Sequence, residues 1–333
     1  MSDKRYLGNI ITSTPTAPAG PYQDGAAPGV WSLQEAFTYT KAGLWPIAGN
    51  VAPIGLFGGG DVGGVYSNVI DRVAISTTGN AVDFGDLSVR RNNTGAASSS
   101  TRGVWAGGID PIVNVMDYVT IASSGNAADF GDLSGSRGFR LAGCGSSTRG
   151  VFGGGENQSN QYSNVIDYIT FASTGNASDF GDLIQANQQL GACSSPTRGL
   201  FAGGNIGPGS NTNVIQYVTI ASTGNAIDFG DRTTVTSTTS GVSSSTRAVF
   251  GSNNAILDYV TIASAGNAID FGDLTIGAGI ASCSSSIRGL FGGAGVDIGY
   301  ITIATLGNTL DFGDLSVDRN DAKGLSNSHG GLS

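Results

Sequence analysis

Asn-Val-Ile-Asp-Tyr-Ile-Thr-Phe-Ala-Ser-Thr-Gly-Asn-Ala-Ser-Asp-Phe-Gly-Asp-Leu, residues 164–183, is one copy of a sentence that this 333-residue chain writes six times. Its closing element, Asp-Phe-Gly-Asp, begins at Asp83, Asp129, Asp179, Asp228, Asp270 and Asp311, at intervals of 46, 50, 49, 42 and 41 residues. The first half of the sentence is rich in β-branched and aromatic residues, which suit a pleated strand. A Gly-Asn pair follows in every copy, at Gly79, Gly125, Gly175, Gly224, Gly266 and Gly307. Both residues tolerate positive φ, so each pair predicts a tight hairpin into the Asp-Phe-Gly-Asp strand. Upstream, a small polar run ending in Arg (Ala97–Arg102, Cys144–Arg149, Cys193–Arg198, Val242–Arg247, Cys283–Arg288) leads into a short apolar run that closes in glycines, as in Arg149–Gly155 and Arg288–Gly293. Each unit therefore contains four strands.

A single four-stranded sheet of this length cannot bury its own apolar faces, so the units must stack on one another. Self-similarity at 40 to 50 residues, carried by strands and glycine turns, is the signature of a β-propeller blade. Six copies predict six blades over residues 51–333. Two aromatics per copy supply the filling between sheets. One is the Phe of Asp-Phe-Gly-Asp; the other ends the glycine strand as Phe57, Phe152, Phe201, Phe250 or Phe291, with Trp105 in the second copy. Buried aromatics contribute roughly 150 to 250 Å² each.

The ends of the chain predict how the ring closes. Gly55–Gly60 is a glycine strand with no Ser-Ser-Thr-Arg run before it, whereas Gly324–Ser328 is such a run with no glycine strand after it. Residues 321–332 are thus expected to supply the innermost strand of the first blade, which leaves no sheet edge open at the seam. Cys144, Cys193 and Cys283 share one repeat position with Ala97, Val242 and Leu325. Neighbouring equivalents in a six-fold ring of about 8 to 10 Å radius lie beyond the ~7 Å Cα limit of a disulfide, so three free buried thiols are expected.

Residues 1–50 differ in kind. Pro15, Pro18, Pro21 and Pro28 mark an extended lead-in. Ser32 with Glu35 forms a capping box that predicts a short helix over 33–42, with Gly43 as its C-terminal cap and Pro46 beyond it. Trp31, Leu33, Phe37, Leu44 and Trp45 give the segment more apolar surface than a free tail tolerates, so it is expected to dock, either on the propeller or on a larger particle.

Composition limits the function. Fifty-four glycines, 12% charged residues and a formal charge of −9 describe a turn-rich β-protein without the basic patch that nucleic acid needs. No apolar run approaches the ~20 residues of a bilayer span, and Met1–Tyr6 has no signal-peptide core. Asp-Phe-Gly matches a kinase motif by letters only, because it recurs six times without a nucleotide loop, a β3 lysine or a His-Arg-Asp loop. The glycine runs lack a following Gly-Lys-Ser/Thr, so there is no phosphate loop. Paired aspartates can bind calcium, but their repetition argues for a structural duty, and no metal or cofactor is expected. The arginines Arg102, Arg149, Arg198, Arg247 and Arg288 are expected to bond between blades.

A strand ending in a Gly-Gly doublet, a loop, a Val-Ile-Asp-Tyr strand and then an aromatic strand resembles the kelch repeat. The chain departs from that repeat in carrying Phe, not Trp, in the fourth strand. The full repeat Asn-Val-Ile-Asp-Tyr-Val-Thr-Ile-Ala-Ser-Thr-Gly-Asn-Ala-x-Asp-Phe-Gly-Asp-Leu is similar to repeats in virion structural proteins of marine tailed phages. Gly29–Leu33 and Gly43–Pro46 likewise resemble N-terminal segments of phage virion proteins. The likeness implies an all-β, six-bladed kelch-like propeller closed by a C-terminal strand and a non-enzymatic role on a tail, fibre or capsid appendage. It implies as partners other virion proteins through residues 1–50, a host-surface glycan or protein, and an oligomeric assembly in the virion. A kelch-type interaction adaptor is the alternative reading, with a glycan-active enzyme behind it. Kelch-type copper oxidases need histidine ligands, and the chain has one histidine, His329. Sialidase-type Ser-x-Asp-x-Gly-x-Thr boxes are absent from the sequence. Invariant scaffold with variable loops is how propellers display binding surfaces. The amide-rich loop holding Asn157, Gln158, Asn160, Gln161 and Tyr162 is the candidate ligand contact, and no catalytic residue is expected.

Overall fold

A computed structural model describes residues 31–41, 52–109, 112–136, 138–237, 239–276 and 281–332. The chain separates into two compact units, Met1–Ala52 and Pro53–Ser333. In the first, the helix Leu33–Lys41 begins as expected: the Glu35 carboxylate accepts from Ser32 N–H (2.9 Å) and from Ser32 Oγ (2.7 Å), while Ser32 Oγ accepts from Glu35 N–H (3.2 Å). These bonds hold the Glu35 carboxyl below its ordinary pKa. Gly43, Leu44, Trp45 and Pro46 lie outside the described residues.

The second unit is a six-bladed β-propeller. Blades 2 to 6 run in chain order, each as four antiparallel strands; blade 3, for example, is Ala142–Gly145, Arg149–Gly153, Val165–Thr170 and Ser178–Asp182. Blade 1 is assembled from both ends of the propeller sequence. Lys323–Ser326 pairs antiparallel with Ile54–Gly58, in the register Leu56 to Leu325, and Val69–Ala74 and Val82–Asp86 follow outward. The expected closure is therefore present. A second seam lies further out, where the hairpin Asp61–Val62/Val65–Tyr66 joins the long final strand of blade 6 through Asp61 and Asn320.

The core lies between blades. Each of six apolar clusters draws on two adjacent sheets; one combines Phe130, Leu133 and Met116 of blade 2 with Phe152, Ile169 and Phe171 of blade 3. All six Asp-Phe-Gly-Asp phenylalanines and all six aromatics of the second strands are buried. In blades 2 to 6 the third-strand Tyr meets the fourth-strand Phe edge to face at 5.8–6.1 Å, and the blade's Arg covers the Tyr ring at 4.5–5.0 Å. Each of these arginines reaches the next blade: Arg102 donates to Phe171 O, Arg149 to Ile220 O, Arg198 to Ile262 O, Arg247 to Ile303 O and Arg288 to Ile75 O. Carbonyls, and not carboxylates, are their partners.

The Gly-Asn pairs do not make the hairpins. The turn is made earlier, where Ser123 N–H bonds Thr120 O and its equivalents do the same, and the pair then lies along the neighbouring blade. Gly125 N–H donates to Phe84 O (2.8 Å), Ala127 N–H donates to Asp86 O (2.7 Å), and Asn126 Oδ1 accepts from Asp86 N–H (3.1 Å). The same three-bond clasp recurs at all six junctions, including blade 6 to blade 1 through Asn80. The Gly of Asp-Phe-Gly-Asp is required at this contact. Gly85 has φ +149°, and a Cβ there would stand 2.4 Å from Gly125 O. The first Asp of the element is exposed in every copy.

A second carboxylate series runs inward. A register shift between the second and third residues of the third strand (Met116/Asp117, Ile166/Asp167 and equivalents) turns Asp71, Asp117, Asp167 and Asp258 into the interior. There each receives the loop that leaves the preceding blade. Ser88 donates to Asp117 through N–H and Oγ, and Arg91 pairs with it at 2.8 Å; Arg319–Asp71 and Arg232–Asp258 are alike at 3.0 Å. All three pairs are fully buried. In blade 4 both partners change together. Gln216 replaces the Asp and accepts from Ile184 N–H, while Asn187 donates to Gly203 O as Arg91 donates to Gly107 O.

Candidate functional site: the axial channel

The innermost strand of every blade pairs with its sheet on one side only, so its free edge faces the axis. The six strands surround a channel of about 620 Å³, counting the space open to solvent. Its wall is made of the smallest side chains in the repeat: Ala96, Gly143, Ala192, Gly241, Ser282 and Gly324. Glycine alternates with a larger residue around the ring. At Gly143, Gly241 and Gly324 a Cβ would fall 2.5–2.7 Å from the carbonyl of the preceding blade, which is why the strands approach so closely there.

Two of the cysteine thiols pack against the second strand of the next blade. Cys144 Sγ sits where a Cβ on Gly199 of the next blade would fall, and Cys283 Sγ does the same against Gly55. All three cysteines are free and buried as expected. Burial pushes the Cys144 thiol up to about 12 and raises the Cys193 and Cys283 thiols as well, so none is a thiolate at neutral pH.

Hydroxyls stitch the ring together near the ends of the innermost strands. Ser98 Oγ donates to Ser326 O, Ser326 Oγ to Ser284 O, Ser284 Oγ to Ser243 O, Ser243 Oγ to Ser194 O, and Ser194 Oγ to Gly145 O. Blade 3 has glycine at this position and cannot continue the relay to Ser98 O. His329 takes its place. Its Nε2 bonds Ser98 O at 2.8 Å, and its Nδ1 accepts from Gly331 N–H at 3.1 Å. That pair of bonds requires the neutral ring with its proton on Nε2. The turn Gly330–Leu332 thereby stoppers this end of the channel, with Gly330 and Gly331 packed so tightly that a Cβ on either would strike the carbonyls of Ser244 or Gly145.

Burial lowers the His329 pKa to about 4, against an ordinary 6.5, with the bond to Ser98 opposing the shift. The unfolded chain therefore binds the proton first as pH falls. The stabilisation from the neutral ring is complete above pH 6.5 and is lost as pH falls through that value toward 4. For this largely enclosed ring the loss is about 2 to 3 kcal/mol. Urea unfolding at pH 7 and pH 4 will show wild type losing that much more than His329→Gln; equal losses would show that the ring is not held neutral.

The opposite mouth is a collar of left-handed residues. Asn93, Arg140, Gln189 and Asp321 have φ of 56°, 58°, 60° and 57°. Their backbones form a chain of bonds from blade to blade: Asn93 N–H to Asp321 O (3.1 Å), Arg140 N–H to Asn93 O (2.9 Å), Gln189 N–H to Arg140 O (2.9 Å) and Thr239 N–H to Gln189 O (3.1 Å). Lys323 begins its innermost strand at this end, where the other blades carry Gly95, Ala142, Gly191, Ser240 and Ala281.

The loop residues singled out from sequence lie together in one turn, but they do not converge on a cavity. Asn157 Oδ1 accepts from Ser159 and Gln161 N–H, Asn157 Nδ2 donates to Gln161 Oε1 (3.1 Å), and Gln158 Nε2 reaches Ile112 O (3.0 Å). Asn160 takes the left-handed corner at φ 55°, and Tyr162 lies beside it, half-buried. Of the docking candidates, Leu33 and Phe37 are 88% and 60% exposed, and Trp31 packs edge to face on Tyr39 at 5.4 Å. The collar, the stopper and the inward aspartates escaped the sequence reading. The only signals for them were Val-Ile-Asp recurring with Gln216 in its place and the single histidine beside a Gly-Gly.

No known protein family matches the chain, and no curated protein is significantly similar to it. Among the described residues, no group of three or more His, Cys, Asp or Glu is placed to hold a metal ion, and no helix is long and apolar enough to cross a membrane.

Proposed function

We propose that the protein is a non-enzymatic structural component of a tailed-phage virion. Its propeller is displayed on a tail, fibre or capsid appendage, and residues 1–50 attach it to the particle; it serves assembly, attachment to the host surface, or both. A six-bladed propeller is consistent with a structural or interaction role. The observation that carries the finer reading is the division of labour along the chain. The repeated Arg, the Asn and the third-strand Asp hold blades together, the copies differ in length in their loops, and a separate N-terminal unit exposes the apolar Leu33 and Phe37 one helical turn apart. Exposed apolar side chains of that size on one helix face are characteristic of an interaction surface. A kelch-type adaptor would use the loops but gives the helix no task. A glycan hydrolase would gather carboxylates at a pocket, and the described channel wall carries none.

Deleting residues 1–48 is expected to leave a soluble propeller that is missing from purified particles, as read by mass spectrometry of those particles. Recovery of the truncated protein in particles at the wild-type level would refute the attachment role.

A further inference from the structure

The strand that closes the ring and the turn that stoppers the channel are consecutive but separately fastened. Lys323–Ser326 completes blade 1, and the next residue, Asn327, is latched to that blade twice: its N–H donates to Ile54 O (3.2 Å) and its Oδ1 accepts from Ile54 N–H (2.8 Å). Beyond this latch the chain leaves the sheet. Residues 328–332 fold into a short turn, with Leu332 N–H bonded back to His329 O (2.9 Å), and reach blades other than their own. His329 meets Ser98 O of blade 2, while a Cβ on Gly331 would strike Gly145 O of blade 3 and one on Gly330 would strike Ser194 O and Ser244 O of blades 4 and 5. Residues 328–332 belong to no sheet, so the turn can leave without breaking a strand ladder of the ring.

The docked turn fits one protonation state of its histidine. Nε2–H donates to Ser98 O, and Nδ1 accepts from Gly331 N–H. A proton added at Nδ1 would set two donors against each other and place a charge where nothing described balances it. The elements packed on the ring and its turn are the innermost strands Gly191–Ser194 and Thr239–Ser243, with Ser98 and Gly145 at the ends of Gly95–Ser98 and Ala142–Gly145. The titratable groups on these strands are the thiols of Cys193 and Cys144, which burial keeps neutral, as it does Cys283 on Ala281–Ser284. Lys323 stands at the opposite end of its strand, and the arginines that follow the adjoining turns, Arg102, Arg149, Arg198 and Arg247, are bonded to carbonyls of the next blade. Among the described residues, no carboxylate faces the ring; Ser333 lies outside them.

We propose that residues 328–332 form an acid-released plug: protonation of His329 undocks the turn and opens that mouth of the axial channel, while Lys323–Ser326 stays paired in blade 1. The sign follows from linkage. The undocked ring has the ordinary pKa of 6.5 and the docked ring one of about 4, so the undocked form takes up the proton first. Above pH 6.5 the plug is indifferent to pH. Between pH 7 and pH 4 the undocked population rises by roughly tenfold to a hundredfold. The change is local, because the latch at Asn327 stands between the plug and the strand that closes the ring.

The test is native-state hydrogen exchange on the full chain, read by mass spectrometry as protection relative to the free-chain rate at each pH. Protection of the peptide covering residues 328–333 is expected to fall at least tenfold from pH 7 to pH 4, while peptides covering Ile54–Gly58 and Lys323–Ser326 keep theirs. In His329→Gln, whose amide offers a donor and an acceptor but takes up no proton, the tail should keep its protection at both pH values. Should that variant leave the tail unprotected even at pH 7, the wild type decides alone. His329 is the one histidine of the chain, so its Cε1–H resonance is assigned by composition, and its NMR titration midpoint must coincide with the midpoint of tail release. The proposal is overturned by tail protection that is equal at pH 7 and pH 4, by loss of protection in the closing strand together with the tail, by an equal pH-dependent loss in His329→Gln, or by midpoints more than about one pH unit apart, which is tenfold in proton affinity.

Discussion

A chain cut after Asn320 will lose its cooperative thermal transition. The cut removes the strand Lys323–Ser326, and with it the full length of the ladder to Ile54–Gly58. It also removes Leu325, which fills the position a Cβ on Gly103 would take and packs with Trp105 and Ile121. Losing a buried Leu alone costs about 2–5 kcal/mol. Trp105 loses the acceptor of its indole N–H, Lys323 O at 3.0 Å, and the serine relay loses Ser326 in its middle. Blade 1 would be left with an apolar face and an unpaired edge turned to water. The expected loss is on the order of 5 kcal/mol or more, comparable to the whole stability of an ordinary domain. Circular dichroism will show a broad, low transition, and a synthetic peptide of residues 321–332 added in trans should restore a sharp one. A truncated chain that melts within a few degrees of wild type would mean that the ring is closed by the outer clasps alone.

The second large effect is expected at Asp117→Ala. Arg91 would then keep its bonds to the carbonyls of Gly107 and Val115 but lose the carboxylate at 2.8 Å, leaving a fully buried positive charge unopposed. Removing one partner of a buried pair typically costs about 3–5 kcal/mol, whereas replacing both by neutral groups is often tolerated. The protein already contains the neutral version, Asn187 with Gln216 in the loop joining blade 3 to blade 4. Denaturant unfolding should therefore place Asp117→Ala several kcal/mol below wild type, the double variant Arg91→Asn/Asp117→Gln well above that single variant, and Asp83→Asn, on the exposed Asp of blade 1, within about 0.5 kcal/mol of wild type. Equal effects for Asp83→Asn and Asp117→Ala would remove the distinction between the two aspartate series.

The architecture was legible because it is written in a period. Six copies of Asp-Phe-Gly-Asp set the number of blades, and the surplus at Gly324–Ser328 against the deficit before Gly55 set the closure. Residues whose partners lie in another copy were harder to read. A Gly-Asn pair signals positive φ, and a hairpin is the commonest local use of it. Here the same freedom lets the chain lie against the next sheet, a contact with no mark in the local sequence. Asp117 reads as one residue in a strand of alternating faces; only the register shift beside it turns it inward, and Arg91 is supplied from the preceding loop in some copies and not others. His329 sits where blade 3 lacks a serine, a relation that becomes visible only once Gly145 and Ser98 are neighbours. At the channel, sequence identified the small residues of the innermost strands but not the collar, because left-handed Arg140 and Gln189 have no propensity for that conformation.

The strand Ile54–Gly58 begins immediately after the N-terminal unit, and it is flanked on both sides, by Lys323–Ser326 and by Val69–Ala74. Its first residue is also latched across the seam, with Ile54 N–H donating to Asn327 Oδ1 at 2.8 Å. Tension delivered through residues 1–52 would thus enter the propeller along the axis of a doubly bonded strand. Many backbone bonds would share that load in parallel and would have to shear together, whereas a strand at the perimeter would peel one bond at a time.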